Sequence, residues 1–334
     1  MNILVCGGAG YIGSHMVRRL VRAGHSPVVF DNFSTGHGRA VECAFRGFPG
    51  GAQVFRGDLL DPAALDAAFA SRRFDAVMHF AGLILVGESV AKPGLYYENN
   101  VTGTLNLLRA MEKSGVHRFV FSSTCAIFGE PETMPVHEGL PRLPINPYGN
   151  TKLVAEMMME DFARAHAFKC VALRYFNAAG ADDAGDIGED HDPESHLIPN
   201  AIKAVLGQGP ALRVFGSDYD TPDGTCLRDY VHVNDLADAH LAALDFLGKI
   251  PEDAGGFDGF GLGTGKATSV LEIISSVEKV SGGKVPYSLA PRRPGDSPVL
   301  CAGPHKASTV LEWRPRYTEI DAIVETAWKW HSRK

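Results

Sequence analysis

Two sets of residues in this 334-residue chain have types and spacings suited to chemistry. The first is Gly7, Gly10 and Gly13 in the run Gly7-Gly8-Ala9-Gly10-Tyr11-Ile12-Gly13, where an apolar stretch gives way to a helical pattern. A tight turn, close approach of backbone to a pyrophosphate and close helix packing each exclude a Cβ, so glycine at these spacings has a mechanical cause. The pyrophosphate then lies at the helix N-terminus, among free amides and the positive dipole end. Asp31 closes the next apolar run, placed to accept both hydrogen bonds of an adenosine ribose diol. A carboxylate there repels a 2′-phosphate, which favours NAD over NADP, although Arg39 and Arg46 follow. Asp58, after the third such run, either meets the adenine or caps a turn; both readings stay open.

The second set is Tyr148 and Lys152, four residues apart just after Pro147 and so on one face of a helix. Upstream, Phe119-Val120-Phe121-Ser122-Ser123-Thr124 reads as a strand with a hydroxyl-rich end. A phenol titrates near 10, and a base working near neutrality needs about three units less, or roughly 4 kcal/mol. One positive charge about 4 Å away at an effective dielectric near 20 supplies about that much. Lys152 and an oxidised nicotinamide both qualify. Tyr148 then takes a proton from a substrate hydroxyl while hydride leaves carbon for the nicotinamide, and Thr124 bonds the same oxygen.

These residues need a sheet to hold them. Apolar runs at Asn2–Cys6, Val28–Phe30, Gln53–Arg56, Ala76–Phe80, Arg118–Ser122 and Cys170–Phe176 alternate with helical patterns, which predicts an α/β, doubly wound parallel sheet of the Rossmann type. Asp61-Pro62 reads as an N-cap and first-turn proline opening a helix through Phe69. After Asn177 the chain turns Gly- and Asp-rich, with shorter helices near His196–Leu206, Asp235–Leu247 and Thr268–Val280. The expected division is a dinucleotide domain over 1–176 and a smaller C-terminal α/β substrate lobe over 177–334, with 229–247 rejoining the first.

Two motifs are set aside. Gly261-Leu262-Gly263-Thr264-Gly265-Lys266 resembles a phosphate loop, but Phe260 stands at the leading glycine's place and Ala267 where a hydroxyl would hold magnesium. His191 and His196 are five apart, which cannot put two imidazoles on one helical face, so no metal is expected. The six cysteines form no Cys-x-x-Cys pair and read as buried thiols. The formal charge is 32 − 39 = −7 without a basic run, which argues against nucleic acid and anionic membrane as partners. Without a cleavable basic leader or a long apolar run, a cytoplasmic protein is expected.

Taken together, these residues resemble the extended short-chain dehydrogenases, and within them the UDP-hexose 4-epimerases. The marks are His79-Phe80-Ala81-Gly82, Val86-Gly87-Glu88-Ser89, Tyr97-Glu98-Asn99-Asn100, Arg174-Tyr175-Phe176-Asn177, Arg228-Asp229-Tyr230 and Arg293-Pro294-Gly295-Asp296, beside the glycine and Tyr/Lys motifs. The resemblance implies a reversible epimerisation at C4 of UDP-glucose and UDP-galactose. Tightly held NAD+ oxidises C4, the 4-keto intermediate turns over in the site, and hydride returns to the opposite face. It further implies cofactor contacts from Gly7, Gly10, Tyr11, Ile12, Gly13, Asp31, Asn32, Asp58, Leu59, Phe80, Ala81, Gly82, Asn99, Ser122, Tyr148, Lys152 and Tyr175. Those to the UDP-sugar come from Thr124, Tyr148, Asn177, His196, Leu197, Phe215, Arg228, Arg293, Asp296 and Leu300. A homodimer through helices near Leu95–Met111 and Thr151–Phe168 is expected on the same ground. The arginines answer a physical need, since an acidic protein must hold a diphosphate with local forked donors.

Three positions depart from the pattern. Ile84 stands where many relatives carry a ribose-contacting lysine, which implies looser NAD retention; His196 replaces an Asn near the uracil; Leu300 lies where bulk gates N-acetylated sugars and is intermediate in size. The alternatives are a UDP-N-acetylhexosamine or UDP-pentose 4-epimerase, a nucleotide-sugar 4,6-dehydratase and a non-catalytic NAD-binding regulator. The dehydratase needs an acid and base straight after the strand-end Thr, and Thr124 is followed by Cys125 and Ala126.

Overall fold

The computed structural model describes residues 1–251, 254–293 and 296–333. The strands are β1 Asn2–Cys6, β2 Ser26–Asp31, β3 Val54–Arg56, β4 Ala76–His79, β5 Arg118–Thr124, β6 Lys169–Tyr175, β7 Asn177–Ala179, β8 Leu212–Phe215, β9 Leu227–His232, β10 Gly256–Gly261, β11 Ala267–Ser269, β12 Tyr287–Ala290 and β13 Val299–Leu300. Seven of them form one parallel sheet in the order β10-β6-β5-β4-β1-β2-β3.

Alternation along the strands feeds two cores. In β1, Ile3 and Val5 join the cluster containing Met16, Leu20, Leu236 and Leu247, while Leu4 and Cys6 join Leu107, Met111, Met159 and Phe168 on the other face. Because side chains in a strand point alternately to opposite faces, a run apolar at every position buries both sides, as a sheet covered by helices requires. The helix Pro62–Ser71 starts where its sequence dictates: Asp61 accepts hydrogen bonds from the amides of Ala63 and Ala64, and Pro62 occupies the first turn.

The segment 229–247 divides between two bodies. Its strand, β9, belongs to a smaller sheet with β7, β11 and β13, whereas the helix Val233–Lys249 packs on the first helix, Tyr11–Arg22, against the large sheet. The seventh strand, β10, was not expected there; its sequence, Gly-Phe-Asp-Gly-Phe-Gly, lacks β-branched residues, and its place comes from pairing with β6 rather than from propensity. A third core joins Ile198, Ile202, Ile273, Val277, Ile323 and Val324 beneath the smaller sheet. No helix among the described residues is long and apolar enough to cross a membrane.

Candidate active site

The strand order reverses between β1 and β4, and the residues singled out for the dinucleotide follow the carboxyl ends of the strands around that point. Gly7 has φ +80°, and a Cβ on it would stand 2.4 Å from the Ala81 amide nitrogen, so the loops after β1 and β4 close on each other only with glycine there. A Cβ on Gly13 would lie 2.1 Å from the Gly7 carbonyl oxygen, which locks the helix against the turn. Gly10 differs. It is the N-cap of the helix Tyr11–Arg22 and caps it with no side chain; a Cβ there would meet only the Gly7 oxygen, at 3.4 Å. The protein's own packing leaves that space open, and the first-turn amides have no side-chain acceptor among the described residues. That is the cradle a pyrophosphate fits.

Asp31 is buried, and its carboxylate accepts from the amides of Ala9 (2.9 Å) and Phe33 (2.8 Å), so it braces the glycine turn. Asn32 donates to Asp58, which also accepts from the Leu60 amide; Asp58 is thus a turn cap tied to the Asp31 loop. The Tyr11 hydroxyl donates to the Gly180 carbonyl and Ile12 packs into the core, so each offers its backbone. Leu59 is buried, with its carbonyl held by Asn106, and Phe80 packs on His240.

The Tyr148 helix, Pro147–His166, begins at Asn146, which accepts from the Gly149 amide, and Pro147 sits at its first turn. Lys152 is buried, donates to the Ser122 carbonyl at 2.9 Å and lies over the Phe121 ring. A Cβ on Gly82 would stand 3.6 Å from its ammonium. Thr124 ends β5, and its hydroxyl accepts from the Ala126 amide. Ser122 and Tyr175 share a short hydroxyl contact.

Burial governs the titration of the Tyr/Lys pair. It pushes the Tyr148 phenol up to about 12, and a hydrogen bond with the Thr124 hydroxyl pulls it down. Lys152 is pulled down to about 8 by burial, against the attraction of Glu156. Desolvation therefore dominates the phenol's titration among the protein's own groups.

On the other side, Asn177 donates to the Asp229 carbonyl, next to Arg228. Asp296 accepts from Arg293 at 2.9 Å and lies 3.5 Å from Arg228, and the Arg293 guanidinium lies over Phe215. Leu300 pairs with Arg228 in register. The structure thus gathers Phe215, Arg228, Arg293, Asp296 and Leu300; Pro294 and Gly295, between two of them, lie outside the described residues. Thr124 pairs with Tyr175, two residues before Asn177, so the two sides meet at the carboxyl end of β6.

His196 caps the helix Leu197–Val205, with Leu197 opening it, but the His196 imidazole contacts Glu189. The spacing argument against paired imidazoles assumed a helix. The segment is a loop, and the His191 and His196 rings lie 5.4 Å apart beside Glu189 and Glu194. All six cysteines are buried and free.

Three supporting residues escaped the sequence reading. Asn99 donates to Asn100, and it is Asn100 that is buried, bonding the Leu83 backbone and the Thr151 hydroxyl. Glu156, one turn beyond Lys152, is fully buried and accepts from Ser123, Arg174 and Arg142. A 148/152/156 spacing was the available signal. Asp229 accepts from Thr264, Gly265 and Ala302, so amides of the phosphate-loop look-alike already face a carboxylate.

The NAD dependent epimerase/dehydratase family model matches residues 3–253. A UDP-glucose 4-epimerase of Rhizobium meliloti (strain 1021) is 48% identical over 335 residues, covering 100% of this chain and 98% of that protein. The crystal structure of UDP-glucose 4-epimerase from Brucella ovis in complex with NAD matches at TM-score 0.91 and 47% identity, covering 98% of this chain and 97% of that one. That of UDP-glucose 4-epimerase from Bifidobacterium longum in complex with NAD+ and UDP matches at TM-score 0.94 and 38% identity, covering 100% and 99%. The chain belongs to the NAD dependent epimerase/dehydratase family.

Proposed function

We propose that this chain interconverts UDP-glucose and UDP-galactose by inverting C4, with NAD as its cofactor. The observation that carries the reading is a glycine cradle after β1, a buried Tyr/Lys pair whose lysine reaches the Ser122 carbonyl of β5, and an arginine cluster at β9 and β13, in a chain 48% identical over its length to a UDP-glucose 4-epimerase. Residues 1–176 with the helix Val233–Lys249 and β10 would form the dinucleotide part, and most of the remainder the UDP-sugar part.

The first-turn amides and Asp31 would hold the pyrophosphate and ribose, with Asn99, Phe80, Ala81, Gly82 and Tyr175 lining the nicotinamide side. Bound NAD+ supplies a hydride acceptor for C4 and a positive charge beside the phenol. Tyr148 takes the proton of the C4 hydroxyl and returns it to the C4 oxygen of the other epimer, and Thr124 orients that oxygen. Moving a phenol from about 12 to neutrality takes about 7 kcal/mol, more than the roughly 4 kcal/mol from one charge about 4 Å away. Lys152 supplies one charge and is not enough alone. Arg228 and Arg293 grip the diphosphate, with Asn177 and Phe215 beside them. A homodimer is supported by exposed Leu95, Tyr97 and Met157 on the two helical segments expected to pair. A cytoplasmic place in galactose metabolism completes the reading.

The 4,6-dehydratase reading has no support: Thr124 is followed by Cys125, whose thiol burial pushes well up, and by Ala126. The test is incubation with UDP-glucose without added NAD, followed by sugar analysis. UDP-galactose is expected; a 4-keto-6-deoxy sugar, or no turnover even with NAD added, overturns the proposal. In the same assay Tyr148→Phe lowers turnover at least about a hundredfold with UDP-sugar binding nearly intact. UDP-N-acetylglucosamine turns over more slowly than UDP-glucose, reflecting Leu300.

A further inference from the structure

The loop before the helix Leu197–Val205 gathers four donors. One atom each from Glu189, His191, Glu194 and His196 lies within 4.8 Å of every other. The Nδ1 atom of His191 is 3.2 Å from Oε1 of Glu189 and 3.6 Å from Oε1 of Glu194; Nδ1 of His196 is 3.9 Å from Oε1 of Glu194 and in contact with Oε1 of Glu189. Both carboxylates are almost wholly buried, their side chains 3% and 4% exposed.

The alignment is as informative as the distances. His191 Nδ1 is buried and makes no aligned hydrogen bond despite two carboxylate oxygens within 3.6 Å, and Glu194 Oε2 is likewise buried without one, Lys203 Nζ standing 3.7 Å from it. His191 Nδ1 and Glu194 Oε2 are therefore the atoms left free for a ligand, whereas His196 Nδ1 already bonds Glu189 and Glu194 Oε1 accepts from the Ser195 and His196 amides. Zinc bonds of about 2.0–2.2 Å put the corners of a tetrahedron about 3.3–3.6 Å apart; the 3.2, 3.6 and 3.9 Å edges here bracket that span, while the His196–Glu189 contact is shorter and must open for an ion to enter. Two buried carboxylates carry two negative charges, which one divalent ion cancels. A pair of imidazoles with a pair of carboxylates suits zinc better than magnesium or calcium, which take oxygen alone.

We propose that Glu189, His191, Glu194 and His196 form a structural site for a divalent metal ion, with Zn2+ the best match. The surroundings fit a clamp. The Tyr11 ring, on the dinucleotide helix, lies edge-on to His191 with centroids 6.2 Å apart, and the Trp330 indole donates to the Glu189 carbonyl. An ion there fixes the helix Ile320–His331, which carries Trp330, the helix Tyr11–Arg22 and the entry to the helix Leu197–Val205 relative to one another, and it commits His196 Nδ1 to the metal. The competing state is protonated: burial pulls His191 down, but Glu189 and Glu194 outweigh it and push it up to about 9.

The test uses the full chain, stripped with EDTA, dialysed and titrated with zinc chloride by calorimetry, beside His191→Ala and the near-isosteric Glu194→Gln. One ion per chain is expected, with affinity lowered about a hundredfold or more in either variant. Zinc raises the melting temperature of the wild type and not of the variants. Cobalt(II) titrated into the wild type gives the strong visible bands of a tetrahedral N/O site, lost on adding zinc; this arm decides the matter even where a variant fails to fold. No saturable one-to-one zinc binding, or equal affinity in wild type and a folded variant, overturns the site and leaves an imidazolium–carboxylate cluster.

Discussion

The two halves of the site are fixed by different forces. Around the glycine turn the constraint is backbone against backbone: an added Cβ on Gly7 or Gly13 would come within 2.4 Å of a main-chain atom. Around the arginines the constraint runs through side chains: Asp296 holds Arg293, whose side chain is still 59% exposed, and Arg228 donates to the Leu227 and Ser297 carbonyls with Asp296 beside it. Hard contacts tolerate no substitution, whereas ion pairs at a surface yield gradually. The half proposed to hold the cofactor is therefore a rigid platform, and the half proposed to hold the sugar an adjustable grip.

The largest effect expected from this contrast is at Gly13. Gly13→Ala drives a methyl into the Gly7 carbonyl, so the turn must shift; purified protein should carry at least about tenfold less NAD and unfold with a loss of roughly 1–3 kcal/mol. A variant that keeps both its NAD and its melting temperature would break the comparison. Smaller losses follow in the grip. Arg228→Ala, removing a mostly buried forked donor, should weaken UDP binding on the order of ten- to a hundredfold, and Arg293→Ala less than about fivefold, by calorimetry. Equal losses would mean that exposure does not rank the two.

A subtler effect separates Lys152 from both halves. Its folded value of about 8 lies below the usual 10.5, so the unfolded chain binds the proton more tightly. Below about pH 8 the fold carries the cost of a buried ammonium, and that cost is relieved as pH rises from about 8 toward 10.5. Wild type should accordingly gain stability relative to Lys152→Met over this window, by at most about 3 kcal/mol. Thermal unfolding of both proteins at pH 7.5 and 10, taken as about the two ends of the window, measures it; a flat difference refutes the buried ammonium.

The same contrast explains what was legible in the sequence. Gly7, Gly13, Asp61 and Pro62 act on their neighbours in the chain, so spacing reveals them. Tyr148 and Lys152 share a helical face and could be paired by counting. Asn100, Glu156 and Asp229 act on partners up to 73 residues away, as in the bond from Ala302 to Asp229, and no local pattern announces such reach. β10 hides for a related reason: its place is set by β6, not by its own glycine-rich sequence. The His191 loop was misjudged because helical periodicity was applied to a segment that is not a helix.

Leu300 and Arg228 are register partners on adjacent strands, both tied to Asp229 through its bond to Ala302 and its place in the chain. A library that varies position 300 to admit bulkier sugars thereby also varies the seat of the arginine proposed to grip the diphosphate. Substitutions at the two positions should be strongly epistatic, and paired randomisation should reach specificities that single-site scanning misses.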